Sequence, residues 1–358
     1  MSTPSPPGQS PPTGPSPYLP QVAQLGGRPT PIPDDPISAV LLALFVGSAV
    51  LHMAIFQINM RRSHKFIFSV LLFGFSMARI TALSMRMAWA SHPTNVNVAI
   101  AAGVMTAAGV LLLFLVNLMF AQRVVRAYFP KFGWSNAVRW VFRVLFGSVV
   151  GVLIMVVTVS VHLFFTADPD VRAREREVQL FAGVYLAVLA FLPVLIVAVV
   201  KLVARSRKVE DKFGTGKFRV KVGLLVGTSL LLTLGAAFRA GIAFVPRPIT
   251  QPAWYHSRAA YYIFNFGVEL LVVYAYGLAR FDRRFHVPDG SKGPGDYKGV
   301  TVNNEEEVFG PADGDDTSAT AHPEDEGVGG VEWEERFAYS RRKSEAMEEK
   351  KEERKECV

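Results

Sequence analysis

Cysteine is nearly absent from this 358-residue chain, which contains only Cys357. A single cysteine excludes a disulfide bond within the chain, so no bridge can cross-link the external loops. The chain also contains no Asn-x-Ser/Thr sequence, and we therefore expect no N-linked glycan. Acidic residues are scarce over most of the length, because residues 1–280 contain 9 Asp/Glu against 26 Lys/Arg. Residues 281–358 reverse this balance, with 21 Asp/Glu against 12 Lys/Arg. The net charge of +8 averages two different regions, so it predicts no nucleic-acid partner.

Long apolar runs are what the chain has in abundance. Half of its residues are hydrophobic, and 26 of them are Phe. About 20 consecutive apolar residues are enough for a helix that crosses a bilayer. We therefore predict an all-α, seven-helix bundle in an integral, multi-pass membrane protein. The predicted spans are about 37–59, 66–90, 96–121, 141–165, 179–204, 221–245 and 255–279. The sequence does not distinguish the plasma membrane from an endomembrane.

The distribution of basic residues predicts how the bundle is oriented. The connections 1–2, 3–4 and 5–6, together with the segment after span 7, carry 19 Lys/Arg, whereas the opposite side carries six. Since basic loops stay in the cytosol, we predict an external N-terminus and a cytosolic C-terminus. The predicted domains are a disordered, Pro-rich extracytosolic segment (1–36), the membrane domain (37–285) and a disordered acidic cytosolic tail (286–358). The tail is a candidate contact for a cytosolic protein.

Ionisable residues inside membrane spans are costly, and each one is a functional-site hypothesis by default. Arg79 and Arg86 lie in span 2, Arg239 lies in span 6, and Glu269 is the only acid that we place within a span. At 100° per residue, span 7 carries a polar stripe. Its members are Arg258, Tyr262, Asn265, Glu269, Tyr276 and Arg280.

The depth of these residues indicates which of them can meet. At about 1.5 Å per residue, Arg79 lies roughly 16 Å and Glu269 roughly 21 Å from the outer ends of their helices. Tilt and long side chains can close this gap, so we hypothesise an ion pair between Arg79 and Glu269. Arg239 and Arg86 lie shallower, at about 10 Å and 6 Å, and we expect them to face an outward vestibule.

Three interpretations of these charges remain open. The pair can serve helix packing alone, it can belong to a ligand or switch site, or the residues can remain apart. Three arginines against one carboxylate leave an inward excess of positive charge, which suits an anionic amphipathic ligand such as an acidic lipid head group. The candidate polar site contains Arg79, Arg86, Arg239, Asn265, Glu269, Tyr262 and Tyr276.

Metal chemistry has weaker support in the sequence. The external side contains three histidines and two aspartates: His92, His162, His256, Asp168 and Asp170. A catalytic metal needs three or four converging ligands, and no two of these histidines have ligand spacing on one helix. We therefore predict no metal, no cofactor and no catalytic residue, and we expect a protein that is not an enzyme. A membrane hydrolase is the least favoured function.

Residues 247–297, "RPITQPAWYHSRAAYYIFNFGVELLVVYAYGLARFDRRFHVPDGSKGPGDY", resemble a fungal family of multi-span membrane proteins of unknown function. The resemblance continues through "FRAGIAF" (238–244), "FGTGKFRVK" (213–221), "REREVQLFAGVYLAVLAFLP" (174–193) and residues 97–127. It covers residues 37 to about 297 and implies a fungal source and a membrane location, but no activity. Arg239, Asn265 and Glu269 all lie in its matched segments.

Two other seven-span groups are similar in architecture only. The fungal lipid-translocating exporters share the number of spans and the external N-terminus. G-protein-coupled receptors share the orientation, but in this chain the residue directly before Arg123 is not Asp or Glu, and span 7 contains no Asn-Pro-x-x-Tyr. The favoured function is binding or transport of a lipid-like ligand among membrane lipids. The alternative is a receptor-like sensor that signals through its basic 5–6 connection and its tail.

Overall fold

The structure, a computed structural model, describes residues 16–18, 22–62, 66–205, 209–288 and 290–297. Within these residues, seven helices are long and apolar enough to cross a membrane. They are α1 (Pro31–Arg61), α2 (Ile67–Ser91), α3 (Val96–Tyr128), α4 (Asn136–His162), α5 (Pro169–Ala204), α6 (Phe218–Phe244) and α7 (Arg258–Leu278). The predicted all-α fold with seven membrane helices is confirmed, and the chain is an integral, multi-pass membrane protein.

Four of these helices begin at a residue whose side chain accepts a hydrogen bond from a backbone N–H in the first turn. Such caps satisfy amide groups that have no partner inside the helix. The pairs are Asn95 with Val98, Ser135 with Val138, Asp168 with Asp170, and Ser257 with Ala260. These short polar side chains follow loops and precede apolar runs, so local sequence defines where α3, α4, α5 and α7 begin.

Several helices extend well beyond their apolar runs. α3 continues to Tyr128, α5 begins at Pro169 rather than near 179, and α1 begins at Pro31 rather than near 37. Proline is tolerated in a first turn because the amide it lacks has no helical partner there. The earlier start of α1 brings Asp34 into the first turn of that helix.

α3 lies at the centre of the bundle, where it contacts α2, α4, α5 and α6, while α7 packs against α1 and α6. Aromatic side chains fill much of the interior; those that are 2% exposed or less include Phe45, Phe75, Phe114, Phe120 and Phe266. α4 contributes little to this core and leaves large apolar side chains exposed, among them Val141, Val144, Val150 and Ile154. Such a surface suits contact with lipid chains. We call the end where α1 and α7 begin the N-terminal end of the bundle, and the opposite end the C-terminal end.

Packing also continues outside the predicted membrane domain 37–285. At the N-terminal end, Leu25 lies against the core and Val22 forms a β-bridge with Pro248. At the C-terminal end, Tyr297 is 1% exposed, with its ring 5.7 Å from that of Trp134 and 5.9 Å from that of Phe213. The folded unit therefore includes residues on both sides of 37–285. The rest of the predicted Pro-rich segment (1–15, 19–21) and acidic tail (298–358) lies outside the described residues.

Candidate functional site

The structure brings Arg79 and Glu269 together in a two-point ion pair. Arg79 Nε donates to Glu269 Oε2 at 2.5 Å, and Arg79 Nη2 donates to Glu269 Oε1 at 2.8 Å. Both side chains are essentially buried, with 0% and 2% exposure. A paired arrangement of this kind matches the planar guanidinium to the carboxylate and is stronger than a single contact.

The remaining donor of Arg79 is satisfied by the backbone of α3. Nη1 donates to the carbonyl oxygen of Thr106 at 2.7 Å, with a longer contact of 3.4 Å to that of Met105. Gly109 makes room for this guanidinium, because a Cβ at that position would lie 3.1 Å from Arg79 Cζ. The absence of a side chain at Gly109 therefore leaves the space on α3 that the Arg79 guanidinium occupies.

Arg239 approaches the same carboxylate from α6. Its Nη1 lies 3.8 Å from Glu269 Oε1, 3.3 Å from Asn265 Oδ1 and 3.4 Å from the carbonyl oxygen of Phe264. These contacts are longer than those of Arg79, and the Arg239 side chain is 28% exposed. Arg79, Arg239, Asn265 and Glu269 form one group, which we call the α7 charge cluster. Within it, Arg239 is the more exposed of the two arginines.

A π-helical turn at Ile263–Gly267 shapes the α7 charge cluster. A π-helical turn contains about one residue more than an α-helical turn, so it rotates the part of the helix before the turn relative to the part after it. Such turns occur often at functional sites. α6 approaches this turn closely, because a Cβ at Gly235 would lie 2.9 Å from the carbonyl oxygen of Phe264. The regular rotation of 100° per residue that underlies the expected polar stripe along span 7 is therefore interrupted at this turn, although Tyr262, Asn265, Glu269 and Tyr276 are all buried.

The polar residues of α7 make three separate sets of contacts: that of Tyr262, that shared by Asn265 and Glu269, and that of Tyr276. Tyr276 donates from its hydroxyl to Asn117 Oδ1 at 2.5 Å and shares a 2.8 Å hydrogen bond with Thr228 Oγ1. Asn117 Nδ2 in turn donates to Ser229 Oγ at 2.9 Å. This buried network links α3, α6 and α7 through neutral groups. Tyr276 therefore contributes to helix packing in the bundle and does not contact the α7 charge cluster.

Arg86 and Tyr262 both bind Asp34 at the N-terminal end of the bundle. Arg86 Nη2 lies 2.9 Å from Asp34 Oδ1, to which the Tyr262 hydroxyl donates at 2.8 Å. Arg258 Nε lies 2.9 Å from Asp34 Oδ2, and Arg86 also donates to the carbonyl oxygen of Gly26 at 3.0 Å. The sequence places Asp34 in the N-terminal segment 1–36 and Arg86 near an outward vestibule. The structure corrects both placements, because α1 begins early enough to bury Asp34 completely.

Asp34 also changes the charge balance that the sequence predicted. Glu269 is not the only buried acid among the membrane helices, and Arg86 is paired with Asp34, which it shares with Arg258. The expected excess of three arginines over one carboxylate is therefore smaller at the α7 charge cluster. There, two arginines, Arg79 and Arg239, share Glu269.

The three histidines at the N-terminal end of the bundle are dispersed. His162 contacts Glu175 through Nδ1, His92 contacts the carbonyl oxygen of Ala88 in its own helix, and the backbone carbonyl of His256 accepts from Gly26 N. In the part of the chain that the structure describes, no group of three or more His, Cys, Asp or Glu residues is arranged to hold a metal ion.

Two family models match the chain. One, described as "Domain of unknown function (DUF7702)", matches residues 33–231, which is more than half of the chain. The other, described as "Protein of unknown function (DUF3112)", matches residues 211–286. The first contains Arg79, and the second contains Arg239, Asn265 and Glu269, so the α7 charge cluster draws on both matched regions. Comparisons with curated proteins and with solved structures found no match.

Proposed function

We propose that this chain, which belongs to the DUF7702 family of unknown function, is a non-enzymatic membrane protein that binds or moves an anionic amphipathic ligand. The ligand's charged group would contact Arg239, and its apolar part would lie among the membrane helices. The observation that carries the proposal is the position of Arg239. It is 28% exposed, close to a buried carboxylate that already makes two short hydrogen bonds to another arginine.

Charge balance supports this role for Arg239. Glu269 neutralises Arg79 at 2.5 Å and 2.8 Å, whereas Arg239 reaches the same carboxylate only at 3.8 Å. A cation inside a membrane span is costly unless it is paired or hydrated. A ligand carboxylate or phosphate would supply the second negative charge, and the guanidinium can bind either group through two hydrogen bonds.

Asn265 adds a neutral polar group beside this cation. Its Oδ1 lies 3.3 Å from Arg239 Nη1, and the side chain is carried by the π-helical turn that precedes Glu269. The turn therefore holds Asn265 and the backbone oxygen of Phe264 near the arginine. Both groups orient the guanidinium, and a ligand would use the donors that they leave free.

The proposed orientation places the N-terminal end of the bundle outside the cytosol. It rests on the excess of Lys/Arg in the connections at the C-terminal end. Protease protection of epitope tags at the two termini of the chain in sealed vesicles tests it. An N-terminal tag accessible from the external side supports this orientation, and an inaccessible one overturns it.

Lipid analysis of the purified protein tests the binding proposal. Wild type and Arg239→Gln would be purified in parallel, with Arg247→Gln as the control because Arg247 is an exposed arginine on the loop that joins α6 to α7. We expect an anionic amphiphile to co-purify with the wild type and the control but to be depleted in Arg239→Gln. Equal recovery from all three proteins would contradict the proposal.

A further inference from the structure

A second basic site lies at the C-terminal end of the bundle, away from the α7 charge cluster. It is an open cavity of about 450 Å³, a size typical of small-molecule sites. The residues that line it come from α3, from α4, from the short loop between them and from the segment after α7. They are Gln122, Arg126, Trp134, Arg139, Arg143, Phe146, Ser291 and Lys292. We call this cavity the basic pocket.

Four cations line the basic pocket, and none of them forms an ion pair with a residue that the structure describes. Within the described residues, no carboxylate lies within 4.0 Å of the charged groups of Arg126, Arg139, Arg143 or Lys292. The carboxylate of the neighbouring Asp296 accepts from the backbone amides of Lys292 and Gly293, at 2.7 Å and 2.8 Å. It therefore closes the loop that carries Lys292. The pocket retains its positive charge.

Two of the arginines are held in place by neutral groups. Arg126 lies over the ring of Trp134, with its Cζ 4.0 Å from the ring centre, and Arg139 Nη2 donates to the carbonyl oxygen of Trp134 at 3.3 Å. Trp134 is itself fixed against Tyr297. Burial raises the pKa of the Tyr297 hydroxyl above its usual value, so it stays neutral and adds no negative charge. Arg126 and Arg139 are thus positioned without an anion.

The position of the basic pocket indicates a ligand with an apolar part. Phe146 lies ten residues into α4, which corresponds to about 15 Å along the helix. On the same helix Trp140 is 62% exposed, with Arg143 Cζ 5.2 Å from its ring centre. An exposed tryptophan beside an arginine is typical of the membrane–water boundary. The pocket therefore extends from the polar loop toward the level of the lipid chains.

We propose that the basic pocket binds the phosphorylated head group of an anionic membrane lipid. Basic pockets between membrane helices on the cytosolic side are suited to such head groups. This is the side predicted for the C-terminal end of the bundle. The phosphate would contact Arg139, Arg143 and Lys292, and the acyl chains would pass Phe146. This site is independent of the proposed role of Arg239.

Binding of a short-chain lipid to the full-length protein in detergent tests this proposal. The probe is dioctanoyl phosphatidylinositol 4-phosphate, compared with dioctanoyl phosphatidylcholine. Removing one basic residue near a membrane surface weakens anion binding about fivefold. We therefore expect Arg139→Gln with Arg143→Gln to weaken binding of the phosphorylated lipid by at least about tenfold. The control is Lys201→Gln with Arg219→Gln, which removes two exposed charges from the same end of the bundle but outside the pocket.

The results distinguish a specific lipid-binding pocket from a surface that attracts anions only through its overall positive charge. The proposal is supported if the pocket variant loses affinity while the control stays within about twofold of the wild type. Equal losses in both variants would show a diffuse basic surface and overturn it. Soluble inositol 1,4-bisphosphate, which is the head group of the probe without its acyl chains, is tested in the same way. If it binds as tightly as the lipid, the assignment of the pocket to a membrane lipid is overturned. Unchanged thermal unfolding of the lipid-free variants would show that lost binding does not reflect lost structure.

Discussion

Arg79 and Glu269 are 190 residues apart in the sequence, yet they form a buried ion pair with two hydrogen bonds of 2.5 Å and 2.8 Å. The pair joins α2 to α7, and the third contact of Arg79 reaches α3 through Thr106. Removing one partner of a buried pair is far more costly than replacing both, because it leaves an uncompensated charge. Three helices therefore depend on one carboxylate.

The first prediction concerns that dependence. Glu269→Gln should lower the free energy of unfolding by about 3–5 kcal/mol, because Arg79 loses its counter-charge. The double variant Arg79→Met with Glu269→Leu should lose much less free energy of unfolding than the sum of the losses for Arg79→Met alone and Glu269→Leu alone. Thermal unfolding in detergent measures both. Glu177→Gln, at an exposed position of α5, is the control, and additive losses in the double variant would show that the two residues do not interact.

A second prediction uses two glycines of α3. A Cβ at Gly109 would lie 3.1 Å from Arg79 Cζ, whereas a Cβ at Gly103 would meet nothing within 4 Å. Gly109→Ala should therefore displace the guanidinium and destabilise the protein by about 1–3 kcal/mol. Gly103→Ala should be neutral or stabilising by up to about 1 kcal/mol, because alanine favours a helix. Equal melting temperatures for the two variants would refute the close approach of Arg79 to α3.

Tyr276 provides a third prediction. Tyr276→Phe removes the hydroxyl that contacts Asn117 and Thr228, and it should destabilise the bundle by about 1–3 kcal/mol because buried polar groups lose a partner. The matched control is Tyr255→Phe, since the Tyr255 hydroxyl is buried and has no hydrogen-bond partner among the described residues. Chemical unfolding of both variants makes the comparison. A larger loss for Tyr255→Phe would contradict the network.

Asp34 and its neighbour Asp35 form a fourth test. Asp34 is 0% exposed and binds Arg86 and Arg258, while Asp35 is partly exposed. Asp34→Asn should loosen the segment that contains Gly26, because Arg86 also holds that segment through the Gly26 carbonyl. Hydrogen exchange of the Gly26 amide, which donates to the carbonyl oxygen of His256 at 3.0 Å, should become faster in Asp34→Asn and remain unchanged in Asp35→Asn. Identical exchange rates in the two variants would count against Asp34 as the anchor.

Much of this architecture follows from patterns visible in the sequence. Long apolar runs predict the seven helices, since a bilayer requires their length and composition. The pairing of Arg79 with Glu269 follows from depth and from the cost of isolated charge. Both inferences use only the spacing along single helices and the properties of the membrane.

The remaining features depend on local and tertiary geometry. The π-helical turn at Ile263–Gly267 breaks the regular rotation that grouped Tyr262 with Tyr276. Asp34 precedes the apolar run, although its four-residue spacing from the buried Ser38 offers a signal of a shared helix face. The basic pocket combines α3, α4 and the segment around Lys292, and no pattern within one helix brings these together.

Direct titration of the purified protein with a single-chain anionic amphiphile tests the central claim about Arg239. The probe is oleoyl lysophosphatidic acid, with oleoyl lysophosphatidylcholine, a zwitterion of zero net charge, as its comparison. Hydrogen bonds to a charged group contribute about 1.5–3 kcal/mol, so Arg239→Gln should weaken binding by roughly 10-fold or more. Arg247→Gln should bind like the wild type. Loss of affinity confined to Arg239→Gln and to the anionic probe is the predicted result, and equal affinity in wild type and Arg239→Gln would contradict the account.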